Sequence, residues 1–121
     1  MIFVGSRLRV IDNSGAKIVE CIKVLGGANV KAKPGSLLVV AVKKVNPLKK
    51  IRKGEIYRAV LVGTKKPSLR VNGIQVMFSD NYAVIVNNKG IPLGTRVLAP
   101  VMLDLRSNGF LKVISMSTLS I

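Results

Sequence analysis

The chain has 121 residues, of which 20 are Lys or Arg, five are Asp or Glu and none is His, for a net charge of +15. Domains cluster at roughly 100–150 residues, so one domain is expected, and the 49% hydrophobic content excludes a wholly disordered chain. So large a positive excess repels itself in isolation, and its usual counterpart is a polyanion, above all nucleic acid.

The predicted elements are short and β-like. Arg7-Leu8-Arg9-Val10-Ile11 alternates and runs into the turn formers Asp12-Asn13-Ser14-Gly15. Lys17 to Leu25 resumes with strand-favouring Val, Ile and Cys, and Gly26-Gly27 ends it. Lys33-Pro34-Gly35 is a turn. Ser36 to Val45 is a long strand whose run Leu37 to Val42 does not alternate, as expected where a strand is covered on both faces over part of its length. A polar loop from Asn46-Pro47 to Gly54 leads to a strand over Ile56 to Thr64. Asn72-Gly73 signals a hairpin, and Ile74 to Phe78 and Ala83 to Val86 are strands on either side of Ser79-Asp80-Asn81. Beyond Pro100, Val101 to Arg106 reads as a short helix and Phe110 to Leu119 as a second helical or irregular piece, separated by Ser107-Asn108-Gly109.

Short strands at regular spacing suggest a sandwich or a closed barrel. Closure removes exposed edges, which favours the barrel in so short a chain. One domain is expected over 1–121, with barrel and ribbon over about 1–99 and a helical segment over about 100–121.

Membrane insertion is disfavoured. A spanning helix needs about 20 apolar residues, and the Leu37 to Val42 block is followed at once by Lys43-Lys44. Neither a signal peptide nor an Arg- and Ser-rich leader precedes the first strand, so the chain is expected to stay where it is made.

Catalysis has little support. The commonest general base is absent, the acids Asp12, Glu20, Glu55, Asp80 and Asp104 are scattered, and no phosphate-binding glycine loop occurs. One cysteine and no histidine leave no zinc set, so no metal or other cofactor is expected. Cys21 reads as a buried core thiol.

The cations, by contrast, cluster. Lys43 and Lys44 lead into a loop carrying Lys49, Lys50, Arg52 and Lys53. Lys65, Lys66 and Arg70 crowd a second loop, Lys31 and Lys33 flank a third turn, and Lys17 and Lys23 lie on the second predicted strand. Five acids cannot neutralise these groups, so phosphate oxygens are the expected partners. The aromatics Phe3, Tyr57, Phe78, Tyr82 and Phe110 are spread through apolar contexts. That argues against a base-stacking sheet and for recognition of folded RNA by shape and backbone. A barrel-type binder of DNA or messenger RNA and a membrane-surface protein drawn by charge are the competing classes. A bound-RNA profile would separate the first and liposome binding at physiological salt the second.

Asp12-Asn13-Ser14-Gly15-Ala16 and Cys21-Ile22-Lys23-Val24-Leu25-Gly26-Gly27 resemble the start of the universal large-subunit ribosomal protein family L-fourteen, in its bacterial or organellar form. Ala59-Val60-Leu61-Val62, Asn72-Gly73, Phe78, Asn81 and Val84 follow at that family's spacing. Asn87-Asn88, Pro92-Leu93-Gly94-Thr95-Arg96 and Leu105-Arg106-Ser107 complete the order. The resemblance runs nearly end to end. It implies a mainly β fold: a small closed five-stranded β-barrel with a projecting β-ribbon and short C-terminal helices. It implies a structural, non-enzymatic part of the large subunit that binds large-subunit rRNA. It further implies neighbours of the L-nineteen and L-three families, intersubunit bridges to small-subunit rRNA, and a C-terminal face on which a ribosome silencing factor docks. Thr95, Arg96, Arg106 and Lys112 would belong to the subunit-interface face. Gly94-Thr95-Arg96 is expected to turn Arg96 outward; the alternative is an ion pair with Asp104 or a cap on the last helix.

Two stretches depart from the pattern. Lys65 to Arg70 has fewer Arg than bacterial relatives, and Asn108-Gly109 replaces a charged pair, where Gly weakens helix propensity by about 1 kcal/mol relative to Ala. With so few acids, this drift points to an organelle-encoded, mitochondrial copy; bacterial cytoplasm and plastid stroma are the alternatives.

Overall fold

A computed structural model describes residues 4–25, 32, 35–49, 51–65, 68–69, 75–76, 78, 80–94, 97, 101 and 111–116. The barrel strands are β1 (Arg7–Val10), β2 (Ala16–Val24), β3 (Leu37–Val45), β4 (Ile56–Gly63) and β7 (Tyr82–Val86). Between the last two lie β5 (Ser68–Leu69) and β6 (Gln75–Val76), and the helix α1 spans Leu111–Met116.

The order around the barrel is β1-β2-β3-β4-β7. Neighbours are antiparallel except where the barrel closes: β1 and β7 run parallel, with Arg9 beside Tyr82 and Val10 beside Ala83. Register shifts between Ala16 and Val19 and between Cys21 and Lys23 interrupt the β2–β3 pairing. Such bulges increase local twist, which a small sheet needs in order to close. β5 and β6 pair antiparallel as a separate ribbon, Ser68 with Val76 and Leu69 with Gln75. The Asn72-Gly73 turn expected between them lies outside the described residues, as do most of the expected Val101–Arg106 helix and the Lys33-Pro34 part of the third turn.

Alternation explains the interior. Leu8, Val19, Cys21, Leu38, Val40, Val42, Leu61 and Ile85 are buried in one cluster, with Ala16, Ala59 and Ala83 as the small members. Mixing large and small side chains fits the taper of a narrow barrel. Cys21 is buried as expected, and burial pushes its thiol pKa up.

A second cluster lies outside. Val60 and Val62 of β4 and Val84 and Val86 of β7 are buried with Val97, Val101 and Val113 of α1. These two strands are thus covered on both faces. The sequence places double coverage on part of the strand holding Leu37 to Val42, and of that run Leu37 alone packs against this second cluster. There β3 alternates, with Leu38, Val40 and Val42 buried and Leu37, Val39 and Ala41 half-buried. The C-terminal residues pack over β4 and β7, so those strands receive the second layer.

The candidate nucleic-acid interface

Three chain segments meet at one end of the barrel. The first is the turn Asp12 to Gly15. Asp12 is a buried acid, and its Oδ1 accepts hydrogen bonds from the Ser14 backbone N–H at 3.1 Å and from the Ser14 hydroxyl. Its Oδ2 accepts the Ile85 N–H at 3.0 Å. Burial raises the Asp12 pKa and outweighs these bonds, which pull it down. Gly15 has φ +115°, a conformation side chains rarely adopt, and a Cβ there would strike the Cβ of Lys49.

The second segment is the loop between β3 and β4. Asn46 donates its N–H to the Gly15 carbonyl at 2.8 Å, and its side-chain oxygen accepts the Leu48 N–H at 3.1 Å. Lys49 N–H closes the turn on the Asn46 carbonyl at 3.1 Å. Ile51 plugs into the barrel cluster at 6% exposure. Glu55 ties the far side: its carboxylate accepts the Arg52 N–H at 2.6 Å and the Tyr57 hydroxyl at 2.8 Å. The Tyr57 hydroxyl is the leading cause of the lowered Glu55 pKa, followed by the Arg52 N–H. The Tyr57 pKa is raised, first by burial and then by Glu55. The loop backbone is held while Lys49, Arg52 and Lys53 stand exposed. A backbone held in this way needs no ordering when the cations meet a ligand, and the freedom lost is that of the side chains.

The third segment follows β7, where Leu93 donates its N–H to the Ile85 carbonyl at 3.1 Å and Gly94 lies against Asn13. Between the three segments opens a cavity of about 520 Å³, walled by Leu48, Lys49, Ile51, Tyr57, Leu93 and Gly94. A second hollow of about 430 Å³ shares Lys49 and Ile51 and carries Arg52 and Lys53.

The described acids are all engaged. Arg9 pairs with Asp80 at 2.8 Å and Lys43 with Glu20 at 3.4 Å, and these are the two ion pairs among the described residues. Asp12 serves the turn and Glu55 the loop. Lys17, Lys23, Lys44, Lys49, Arg52, Lys53 and Lys65 are exposed, whereas Lys43 is half-buried beside its acid. Lys65 is fixed through its backbone N–H on the Asn81 side chain at 2.9 Å. Lys31, Lys33, Lys50, Lys66, Arg70, Thr95, Arg96 and Arg106 lie outside the described residues, as does the Lys112 side chain.

Sequence reasoning missed several contributors. Arg7, Arg58 and Lys89 are further exposed cations; Arg58 and Lys89 are single in their stretches, and Arg7 with Arg9 reads as the polar face of an alternating strand, so none gave a clustering signal. Asp12 was expected only as a turn former. An Asp that bonds the backbone two residues on is a known turn device, but the bond to Ile85 has no local signature. Of the aromatics, Tyr57, Phe78 and Tyr82 are half-buried, and Phe78 and Tyr82 pack together at 5.9 Å between ring centres. Phe3 and Phe110 lie outside the described residues.

A fixed, cation-bearing barrel end with few acids in reach suits a polyanion. Compared with known families, the chain matches the family model for ribosomal protein L14p/L23e over residues 1–121.

Proposed function

The chain belongs to the ribosomal protein L14p/L23e family, a family of structural proteins of the large ribosomal subunit, and from that premise we propose that it grips folded large-subunit rRNA through its basic loops and catalyses no reaction. The family implies rRNA and ribosomal proteins as partners. The observation that carries the finer reading is the β3–β4 loop, where Lys49, Arg52 and Lys53 project from a backbone fixed by Gly15, Ile51 and Glu55.

The rRNA-contacting set we propose is Lys17, Lys23, Lys31, Lys33, Lys43, Lys44, Lys49, Lys50, Arg52, Lys53, Lys65, Lys66 and Arg70, with Lys43 the weakest member because Glu20 holds it. Thr95, Arg96, Arg106 and Lys112 form the proposed face toward small-subunit rRNA in an intersubunit bridge. Neighbours of the L-nineteen and L-three families, and a silencing factor on the C-terminal face, complete the proposed partners. The proposed compartment is the mitochondrial matrix.

Sedimentation of the native protein tests this reading. It is expected to travel with the large subunit, and chemical footprints on the rRNA are expected to weaken when Lys49, Arg52 and Lys53 are replaced by Gln. Co-sedimentation with messenger RNA or DNA instead, in the absence of large subunits, would overturn it.

A further inference from the structure

We propose that the cavity beside Tyr57 receives one unstacked base of the bound RNA, and that the adjoining hollow holds the phosphate of that nucleotide. The inference rests on the reading that this barrel end faces RNA.

The cavity is two-natured. Leu48, Ile51, Leu93 and the Tyr57 ring give it apolar walls. Leu48 is 90% exposed and Leu93 45% exposed, so two leucines stand at the mouth of one cavity with much of their surface in water. A single exposed leucine is ordinary. Two that converge on a shared cavity form a receptive surface. They are also held in place: the Asn46 side chain fixes the Leu48 backbone at 3.1 Å, and Leu93 is bonded to Ile85 at 3.1 Å. Tyr57 has its hydroxyl committed to Glu55 at 2.8 Å, which restrains its ring.

The neighbouring hollow is cationic. Lys49, Arg52 and Lys53 line it, and Lys49 belongs to both spaces. A nucleotide carries this pairing of properties within one unit. The faces of its base are flat and apolar and can be sandwiched between apolar or aromatic side chains, while its edges stay polar. Its phosphate follows at a fixed short distance and needs cations. An apolar peptide segment would use the leucines and leave three cations without a partner. A helical RNA backbone would use the cations and leave the leucines in water. An unstacked nucleotide uses both.

The test takes protein-free large-subunit rRNA, from the ribosome that carries this chain, as the probe. One variant replaces both leucines, Leu48→Ser with Leu93→Ser. A second replaces the cations, Lys49→Gln, Arg52→Gln and Lys53→Gln. Both alter exposed side chains, and thermal melts check that the fold survives. The leucine variant is expected to bind roughly ten-fold or more weakly while keeping the wild-type dependence of affinity on salt. The cation variant is expected to flatten that dependence. If the leucine variant binds like the wild type while the cation variant is weak, the cavity takes no base and the RNA reading stands alone. If neither variant changes binding, the RNA reading of this barrel end fails with it. Ultraviolet crosslinking of assembled large subunits gives a measurement that needs no variant. A nucleotide attached at Leu48, Tyr57 or Leu93, on the cavity wall, supports the proposal, and a polypeptide attached there overturns it by giving the cavity to a neighbouring protein.

Discussion

The Oδ2 atom of Asp12 accepts the Ile85 N–H at 3.0 Å, joining the turn after β1 to β7 across 73 positions of chain. The same carboxylate serves Ser14, so one buried side chain satisfies two backbone donors from distant segments. Asp12→Ala would leave both donors without this acceptor, at about 1–3 kcal/mol for each that stays buried. Relief from burying a charge offsets part of that. A net loss of about 2 kcal/mol is expected, read as a lower urea midpoint with an unchanged slope. The raised Asp12 pKa adds a pH dependence. A folded value above the ordinary 3.8 means that the folded chain binds the Asp12 proton more tightly than the unfolded chain. The Asp12 contribution is therefore greatest below pH 3.8 and is lost as pH rises through the folded pKa. The stability gap between wild type and Asp12→Ala should widen as pH is lowered from 7 toward 4. A gap that narrows would mean that the hydrogen bonds, not burial, dominate this carboxyl.

Gly15→Ala meets two obstacles at once. A positive φ costs Ala about 1 kcal/mol or more, and the new Cβ would strike Lys49. The second obstacle is removable. In a Lys49→Gly background the collision disappears and the φ cost remains, so Gly15→Ala should destabilise less there. A double-mutant cycle measures the difference, expected at about 1 kcal/mol. Strict additivity would show that the loop moves aside without resistance.

The barrel was legible because its strands obey simple patterns. The expected Arg7 to Ile11, Lys17 to Leu25, Ser36 to Val45 and Ile56 to Thr64 each fall within one residue of β1 to β4. Alternation and turn residues are local, so a local reading finds them. The parallel contact of β1 with β7 is not local; no local pattern marks it, and closure was indicated by the general advantage of a closed sheet and by the family resemblance. β5 was missed because Ser68-Leu69 is two residues long and sits in a basic run. The extent of double coverage was misjudged for a similar reason: it reaches β3 at Leu37 but falls mainly on β4 and β7. Ala59 to Val62 and Ala83 to Val86 are apolar runs just like Leu37 to Val42, and which of them is covered twice depends on where Val97, Val101 and Val113 pack. At the candidate site the cation clusters were plain in the sequence. The cavity beside them was not, since Leu48 and Leu93 lie 45 positions apart.

The loop cations should bear on RNA and not on the fold. Replacing Lys49, Lys50, Arg52 and Lys53 with Gln is expected to leave stability within about 0.5 kcal/mol, because the described members of the set are exposed. Wild-type affinity for rRNA should fall steeply with salt, since each neutralised phosphate releases counterions. The variant should show a shallower slope, measured by filter binding between 50 and 200 mM salt, on the order of the range over which such contacts are lost. Lys43→Gln should matter less than Lys44→Gln, because Glu20 already holds Lys43. A cooperative loss of fold in the four-residue variant would make the loop structural.

Arg96→Glu separates assembly from subunit joining. The proposed position of Arg96 on the subunit face puts a negative charge opposite phosphate in this variant. Large subunits should incorporate the protein normally while joining to small subunits falls. Gradients at low magnesium compare free large subunits with joined ribosomes. Absence of the variant from large subunits would assign Arg96 to folding or assembly, and normal joining would make it a bystander.

The cover over β4 and β7 should contribute measurably to stability. Val113 is fully buried in α1 against a cluster that includes Val60, Val62, Val84 and Val86. α1 is only six residues long, and a helix that short has little stability of its own. Packing must therefore hold it. Val113→Ala removes two methyl groups' worth of contact and should cost about 2 kcal/mol. Val113→Asp would bury a carboxyl without an arranged partner, so the helix should detach rather than accept it. The interior cluster of the barrel does not include Val113, and the barrel should therefore survive. Far-ultraviolet dichroism would keep its strand signal, while a dye that binds apolar surface would report the uncovered face of β4 and β7. If Val113→Asp unfolds the whole chain in one step, the two clusters form a single cooperative core. If Val113→Ala changes the urea midpoint by less than its error, the helix rests on the sheet without stabilising it.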